Sequence, residues 1–217
     1  MYGLQARGLD VHRTIPERLE DLARDYIDEI VRMQPSGPYH LAGWSVGGII
    51  AHEMAVQLME RGAEVGVVAM LDAYPSDRWR AMPEPAADAA LEALLYIAGE
   101  SPAALETPLT RESAIGFLRS RHHPLGELSD EAIAGVLRVV ESNNSLVRQF
   151  HHHRFDGDLL YFRAALDHDG DGLRPEQWQP YISGRIDIHD VPVTHAHLTG
   201  AAAVERIAPV LGLRLKG

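Results

Sequence analysis

The sequence predicts an α/β protein with a mostly parallel sheet flanked by helices. Three observations carry this prediction. Amphipathic helical patterns alternate along much of the chain with short apolar runs of strand length. The run at 65–71 is apolar throughout, as expected for a strand that is buried on both faces. A glycine-rich turn at 43–47 joins another apolar run directly to a helical pattern. Strands that are connected through helices run parallel.

Composition narrows the classes of protein that fit. A chain of 217 residues can bury one sizeable core without a second domain. There is no cysteine, which excludes disulfides and thiolate nucleophiles and fits a cytoplasmic protein. The net charge of −11 argues against nucleic acid or an anionic membrane as partner. No apolar stretch is long enough to span a bilayer.

The first elements are predicted from periodicity and capping signals. Residues 2–6 are predicted as a short strand. Thr14-Ile15-Pro16-Glu17 has the pattern of a capping box with proline in the first turn, so an amphipathic helix is expected over about 15–33. A strand at 39–42, a helix over 46–61 that stops at Gly62, and the strand at 65–71 follow.

The alternation stops between residues 77 and 155. This segment has helical patterns near 86–98, 111–121 and 129–150 and no convincing strand. We interpret it as a lid inserted into a core formed by 1–76 and 156–217, because functional insertions sit on the loops of a scaffold. The alternative is that these helices simply complete the core. Strands at 158–163 and 185–189 and a helix at 201–212 end the single domain of residues 1–217.

The turn Gly43-Trp44-Ser45-Val46-Gly47 has the strand–turn–helix setting of a nucleophile elbow. So tight a turn needs residues without side chains on both sides of the serine, which accounts for Gly43 and Gly47. The hydroxyl of Ser45 would then stand at the positive end of the next helix. The alternative is an ordinary turn in which Ser45 caps that helix.

A serine nucleophile needs an imidazole that takes its proton. On this type of scaffold the base follows the last strand. His195 lies there, between the last predicted strand and the last helix, and is our candidate base. His197 is the second candidate.

A carboxylate must hold that imidazole in the correct tautomer. Asp72 ends the buried strand 65–71, where a carboxylate is costly unless it has a partner. Three aspartates after the next strand are the alternative: Asp167, Asp169 and Asp171. Strand geometry favours Asp72.

Two patterns suggest metal ligands and are better explained otherwise. The segment 167–172 begins like a calcium loop, but its twelfth position is Trp178 rather than glutamate, so a polar turn fits better. His151-His152-His153 are consecutive and do not share a helix face, so a solvated helix end is expected. We therefore predict no metal site.

Several stretches together resemble the C-terminal thioesterase domain of non-ribosomal peptide synthetases, which is an α/β-hydrolase. The opening heptapeptide at 2–8 and the elbow are the most specific of them. The matching stretches are 2–8, 37–48, 71–72, 178–182 and 194–197. The resemblance covers nearly the whole chain, and the helical insertion matches only loosely.

The resemblance implies Ser45 as nucleophile, His195 as base and Asp72 as acid. It implies a mobile helical lid over the acyl chain, and a peptidyl or acyl thioester delivered on the phosphopantetheine arm of a carrier protein. It further implies that the Val46 N–H donates to the oxyanion. No metal or diffusible cofactor is expected.

The sequence departs from this family at its start. In the family a strand and a helix precede the stretch that matches 2–8, and the loop after that strand supplies a second oxyanion donor. We expect that strand and loop to be absent here. The loss of one donor typically lowers the rate by about 100- to 1000-fold.

The expected activity is release of the acyl chain from Ser45 by hydrolysis or macrocyclisation. Which of the two occurs depends on how the lid excludes water. Two alternatives are a free-standing editing (type II) thioesterase and a non-catalytic module that binds carrier proteins. Sequence ahead of Met1 and the activity of an extended chain would discriminate between these hypotheses.

Overall fold

The sheet positions every candidate residue of the site. The computed structural model describes residues 2–167 and 172–215. Within these residues one sheet forms in the order β1-β2-β3-β4, and all three strand pairs are parallel. The strands are β1 (Tyr39–Trp44), β2 (Val65–Leu71), β3 (Leu159–Ala164) and β4 (Ile186–Val191). The predicted parallel sheet is confirmed.

Helices precede, connect and follow these strands. They are α1 (Leu19–Met33), α2 (Val46–Glu60), α3 (Ser76–Ala81), α4 (Ala89–Ile97), α5 (Arg111–Ser120), α6 (Asp130–Gln149) and α7 (Ala201–Arg214). Short 3-10 helices lie at Arg7–Leu9, Pro102–Ala104, Pro124–Glu127, Pro175–Tyr181 and His195–His197. The predicted helices at 46–61, 111–121, 129–150 and 201–212 are found within a few residues of their expected bounds.

The described residues fall into two compact units, each with its own apolar contacts. One unit holds Pro16–Ala81 and the described residues from Val147 onwards. Its strands alternate their side chains between two faces. Ala69, Leu160 and Phe162 pack with Ala203 and Ile207 of α7 on one face, while Met70 lies beside Gly48 of α2 on the other. The sheet is therefore covered by helices on both sides.

The other unit joins the described residues up to Ile15 with Met82–Leu146. Its core brings together Leu94 and Leu95 of α4 with Ala114 and Leu118 of α5. The first described residues thus belong to the helical unit and not to the unit that holds the sheet. Arg138 of α6 links them to the helices, since it donates hydrogen bonds to the carbonyls of residues 10, 11 and 13 at 3.4, 3.0 and 2.8 Å. The role of residues 77–155 as a lid stays a prediction.

Two local predictions near the start of the chain are wrong. Residues 2–6 form no strand: Tyr2 and Leu4 are exposed, and no ladder partner meets them in the described structure. A strand needs a neighbouring strand to pair with its backbone groups, and residues 2–6 pair with none of the four described strands. The capping box at 14–17 does not form either, because α1 begins only at Leu19 after an extended Arg18. Carboxylates in the first turn stabilise this start through the helix dipole.

Candidate functional site

Ser45 occupies a strained turn at the end of β1. Its backbone has φ 54° and ψ −126°, a combination of angles that residues other than glycine rarely adopt. The Ser45 N–H donates to the Leu71 carbonyl at 3.0 Å, and the Ser45 carbonyl accepts from the Gly48 N–H at 2.9 Å. Such a conformation costs about 1 to 3 kcal/mol and persists only where the surroundings impose it. The side chain that it presents is half-buried.

The glycines around Ser45 have different reasons to be glycine. A Cβ on Gly43 would lie 2.1 Å from the Gly47 carbonyl oxygen, and one on Gly48 would lie 2.4 Å from the Ala73 Cβ. A Cβ on Gly47 would meet nothing within 4 Å. The expectation that Gly47 must lack a side chain is therefore wrong. The turn brings the backbone, not the Cβ, of Gly47 against Gly43, and the second steric requirement falls on Gly48.

The helix after Ser45 offers backbone donors beside the serine. Val46 is the first residue of α2, which runs for 15 residues. The first N–H groups of a helix have no partner within that helix and stand at its positive end. The Val46 N–H therefore stands at the positive end of α2, directly after Ser45, and its role as an oxyanion donor stays a prediction.

Asp72 lies one residue beyond β2, next to Ser45 across the sheet edge. Trp44 and Leu71 are partners in the β1–β2 register, so the residues that follow them emerge side by side. The Asp72 side chain is fully buried. Its Oδ1 accepts hydrogen bonds from the Tyr74 hydroxyl at 2.9 Å and from the Ala164 N–H at 3.1 Å. These donors offset the cost of burying a carboxylate.

The second oxygen of Asp72 meets His195. Asp72 Oδ2 lies 2.7 Å from His195 Nδ1, and the imidazole is only 12% exposed. A carboxylate can only accept here, so we assign the proton to Nδ1, which leaves Nε2 as a proton acceptor. The pair thus has the tautomer that a general base needs.

The backbone of His195 is also held at both ends. Its N–H donates to Asp167 Oδ2, and its carbonyl accepts from the Trp44 indole N–H at 3.0 Å. The Trp44 ring centroid lies 5.1 Å from that of the imidazole, at an interplanar angle of 37°. Asp167, one of the alternative acids, thus reaches the main chain of His195. The other two alternatives, Asp169 and Asp171, lie outside the described residues.

His197, the second candidate for the base, has a different partner. Its Nδ1 lies 2.6 Å from the Thr194 hydroxyl, and the residue is exposed. The structure therefore brings His195, and not His197, to the carboxylate of Asp72.

Two buried aromatic side chains donate hydrogen bonds to the loop after Asp72. The Ala73 carbonyl accepts from the Trp178 indole N–H at 2.7 Å and from the Tyr161 hydroxyl at 2.8 Å. Burial raises the pKa of Tyr161 well above its ordinary value, so the phenol stays protonated and keeps donating. Neither residue was singled out for this role from the sequence, because each lies about a hundred residues from the loop that it supports.

A second group of histidines lies in the same unit, and one prediction about it is wrong. Residues 151–153 follow the end of α6 rather than forming it, and His152 is half-buried instead of solvated. His152 Nε2 accepts from the Ser76 N–H at 3.0 Å, and its ring lies 5.2 Å from that of buried His52. Burial lowers the pKa of His52 to about 4. Burial also lowers the pKa of His152, to about 2.

Neither a metal-binding cluster nor a membrane-spanning helix is present among the described residues. Among residues 2–167 and 172–215, no group of three or more His, Cys, Asp or Glu side chains could hold a metal ion. No helix in the same ranges has the length and apolar character needed to cross a bilayer.

Comparison with known proteins identifies relatives of the whole chain. The family model described as "Thioesterase domain" matches residues 1–212. A dimodular nonribosomal peptide synthase of Bacillus subtilis is 37% identical over 218 aligned residues, which cover 100% of this chain and 9% of that protein. A protein described as "Probable non-canonical nonribosomal peptide synthetase (NRPS) CymA", of Salinispora arenicola, is 32% identical over 224 aligned residues, which cover 100% of this chain and 3% of that protein. The chain thus spans a small part of the curated relatives that it matches.

Solved structures show the same fold. A thioesterase domain, NocB, in covalent complex with a fluorophosphonate nocardicin G analogue has a TM-score of 0.67 and 20% identity, covering 99% of this chain and 82% of that one. A four-domain nonribosomal peptide synthetase bound to AMP and glycine reaches a TM-score of 0.78 at 24% identity, covering 97% of this chain and 17% of that one.

Proposed function

Since this chain belongs to the thioesterase domain family, we propose that it releases a peptidyl or acyl chain from a carrier protein through an acyl-serine intermediate. The substrate is a thioester on the phosphopantetheine arm of that carrier. The observation that carries the proposal is the 2.7 Å contact between Asp72 and His195, at the sheet edge where Ser45 is held in a strained turn.

In the first half-reaction Ser45 Oγ attacks the thioester carbonyl carbon while His195 Nε2 takes the hydroxyl proton. The carbonyl oxygen becomes an oxyanion, to which the Val46 N–H donates. Collapse of the tetrahedral intermediate breaks the carbon–sulfur bond. The thiolate leaves with the proton from the imidazolium, as a thiol, and the acyl group stays on Ser45 as an ester.

In the second half-reaction a nucleophile attacks the ester. Either water or an amine or hydroxyl of the same acyl chain gives up its proton to His195, and the ester bond breaks. Ser45 recovers the proton, and the product is a linear acid or a macrocycle. These steps use only the imidazole for proton transfer, so they need no metal or diffusible cofactor.

Asp72 acts through His195. Its Oδ2 accepts from the Nδ1–H, which leaves Nε2 as the nitrogen that takes the serine proton, and its charge stabilises the imidazolium that forms in each half-reaction. The two donors to Oδ1 offset the cost of burying this carboxylate.

Two features favour release over the alternatives. The relatives carry the matching segment inside much longer synthetases, which supports release of a finished chain rather than editing by a free-standing enzyme. The hydrogen-bonded pair of acid and histidine argues against a non-catalytic carrier-binding module, which has no need for such a pair.

The test is turnover of a peptidyl thioester carried on a phosphopantetheinylated carrier protein. We expect the parent chain to consume the thioester and form an acyl adduct, located on Ser45 by peptide mapping. Ser45→Ala should form no adduct, and His195→Ala should form it at least about 1000-fold more slowly. Turnover that survives Ser45→Ala would contradict the proposal.

A further inference from the structure

The contacts of Trp44 point to a role that the family assignment does not include. Trp44 is the last residue of β1 and directly precedes Ser45. In the β1–β2 register it pairs with Leu71, which directly precedes Asp72. Trp44 therefore belongs to the same stretch of sheet edge that fixes the nucleophile and the acid.

His195 stands on less regular structure. It begins a 3-10 helix of only three residues, His195–His197, which follows β4 after a short loop. So short a helix has little internal hydrogen bonding of its own. Contacts from other segments must therefore fix the position of the imidazole.

The Asp72 carboxylate fixes the ring of His195 at Nδ1, and Asp167 accepts from the His195 N–H, so the carbonyl end of this residue needs a further contact. The Trp44 indole N–H donates to the His195 carbonyl at 3.0 Å, and the indole ring lies 5.1 Å from the imidazole at 37°. One side chain thus contacts both the backbone and the ring of the base, although the two residues are 151 positions apart.

We propose that Trp44 is a positioning residue, which sets the distance and angle between His195 and Ser45 through its indole N–H. This inference rests on the proposed function, in which His195 is the base for Ser45. Because Trp44 and Ser45 are consecutive, the bond ties the loop of the base directly to the elbow of the nucleophile. A small displacement of a catalytic group can cost about 100-fold in rate.

The test removes the indole N–H and retains an aromatic side chain at position 44. The second-order rate constant for modification of Ser45 by a fluorophosphonate is measured for the parent chain and for Trp44→Phe, together with the thermal midpoint of each. We expect the rate constant to fall by about tenfold, since one hydrogen bond of this type is lost and the imidazole is displaced. The second variant replaces Trp44 by β-(3-benzothienyl)alanine, in which sulfur stands for the N–H in a ring of nearly the same shape, and the same fall is expected.

A spectroscopic signature separates positioning from general support. The proton on His195 Nδ1, in its bond with Asp72, should give a proton NMR signal well downfield of the amides. Loss of the Trp44 bond should shift or broaden that signal. Trp79→Phe is the matched control, because the Trp79 indole N–H is buried and has no hydrogen-bond partner in the described structure. It should leave the rate constant and the signal as in the parent.

The other possible results separate failure of the role of Trp44 from failure of the proposed function. Benzothienylalanine at position 44 with parent-like rate and signal would overturn the inference, whatever Trp44→Phe does to folding. A slower rate with an unmoved Nδ1–H signal would also overturn it, since the indole would then act by another route. If the parent is not modified, or His195→Ala reacts as fast as the parent, the proposed function itself fails. A reactive parent and an inert His195→Ala beside unaffected Trp44 variants would remove only the role of Trp44.

Discussion

Asp72 shows how single side chains make a buried charge tolerable. It sits at φ 50°, an unusual backbone angle for aspartate, with its carboxylate out of contact with water. Oδ1 takes two donors and Oδ2 faces the imidazole. A carboxylate in such a place depends on each donor more than a neutral group does, because hydrogen bonds to charged groups are the stronger ones.

The Tyr74 hydroxyl is therefore expected to contribute more than an ordinary buried phenol. Tyr74→Phe should lower the free energy of unfolding by about 2 kcal/mol, since it deletes a bond to a charged group. It should also slow modification of Ser45, because the acid loses one of the bonds that orient it. Urea unfolding and fluorophosphonate labelling measure the two effects.

Tyr39→Phe is the matched control for this prediction. Tyr39 and Tyr74 are both 5% exposed, but the Tyr39 hydroxyl donates to the neutral Gln34 carbonyl at 2.8 Å. Its loss should cost about 1 kcal/mol and leave labelling unchanged. Equal losses for the two variants, with unchanged labelling in both, would show that Tyr74 has no special bond to the acid.

The sequence predicts the site residues that follow the ends of strands. It does not predict those that reach the site only through contacts between segments far apart in the chain. Ser45 and Asp72 each follow an apolar run, His195 follows the last strand, and parallel strands bring their ends to one edge. Asp167 met the same criterion as Asp72, and only the fold shows that it bonds to the main chain of His195. Trp44 directly precedes the serine in the sequence, but no local pattern indicates what its indole N–H contacts.

In the elbow between β1 and α2, the backbone leaves no room for a side chain at Gly43 but leaves room for one at Gly47. A Cβ at Gly43 would collide with the carbonyl of Gly47, whereas a Cβ at Gly47 would point into open space. Gly47 also lies in the first turn of α2, where alanine is intrinsically more favourable than glycine. The two glycines should therefore respond in opposite ways to the same substitution.

Gly43→Ala should destabilise the fold by about 3 kcal/mol, as expected for a methyl group forced into packed backbone. Gly47→Ala should leave the unfolding free energy unchanged or raise it by up to about 1 kcal/mol. Denaturant unfolding of both variants checks this contrast. A stable Gly43→Ala, or a Gly47→Ala as damaged as Gly43→Ala, would show that the elbow has another geometry.

The sequence predicts whether a segment is a helix or a strand better than it predicts the residue at which that helix or strand begins. The predicted strand at 65–71 is a continuous apolar run, the one at 158–163 contains such a run at 159–162, and both pair in the sheet. The start of α1 depended instead on where Leu19 becomes buried, and the capping pattern at 14–17 carries no information about that. The segment at 2–6 had strand-like residues without a neighbouring strand to pair with.

For the molecule as a whole, the pair His52 and His152 predicts acid sensitivity. Burial lowers the pKa of His52 from 6.5 to about 4, so the folded chain keeps this imidazole neutral in a range where the unfolded chain protonates it. The unfolded state then binds more protons, and stability falls as the pH drops from about 6.5 towards 4. His152 acts in the same direction, because its pKa is lowered to about 2.

His52→Gln tests this link. Glutamine retains an amide donor for the Tyr181 carbonyl, which His52 Nε2 meets at 3.2 Å, but it does not titrate. Between pH 7 and pH 4 the variant should lose about 3 kcal/mol less unfolding free energy than the parent. Urea unfolding at a series of pH values measures the difference. Parallel curves for parent and variant would mean that His52 is not held neutral by the fold.

The central claim is that Ser45 is an activated nucleophile in this chain, and the intact mass after exposure to a serine-reactive fluorophosphonate tests it most directly. The parent should gain the mass of one phosphonyl group, and Ser45→Ala, folded to the same extent, should gain none. No adduct on the folded parent, or an equal adduct on the variant, would contradict the account.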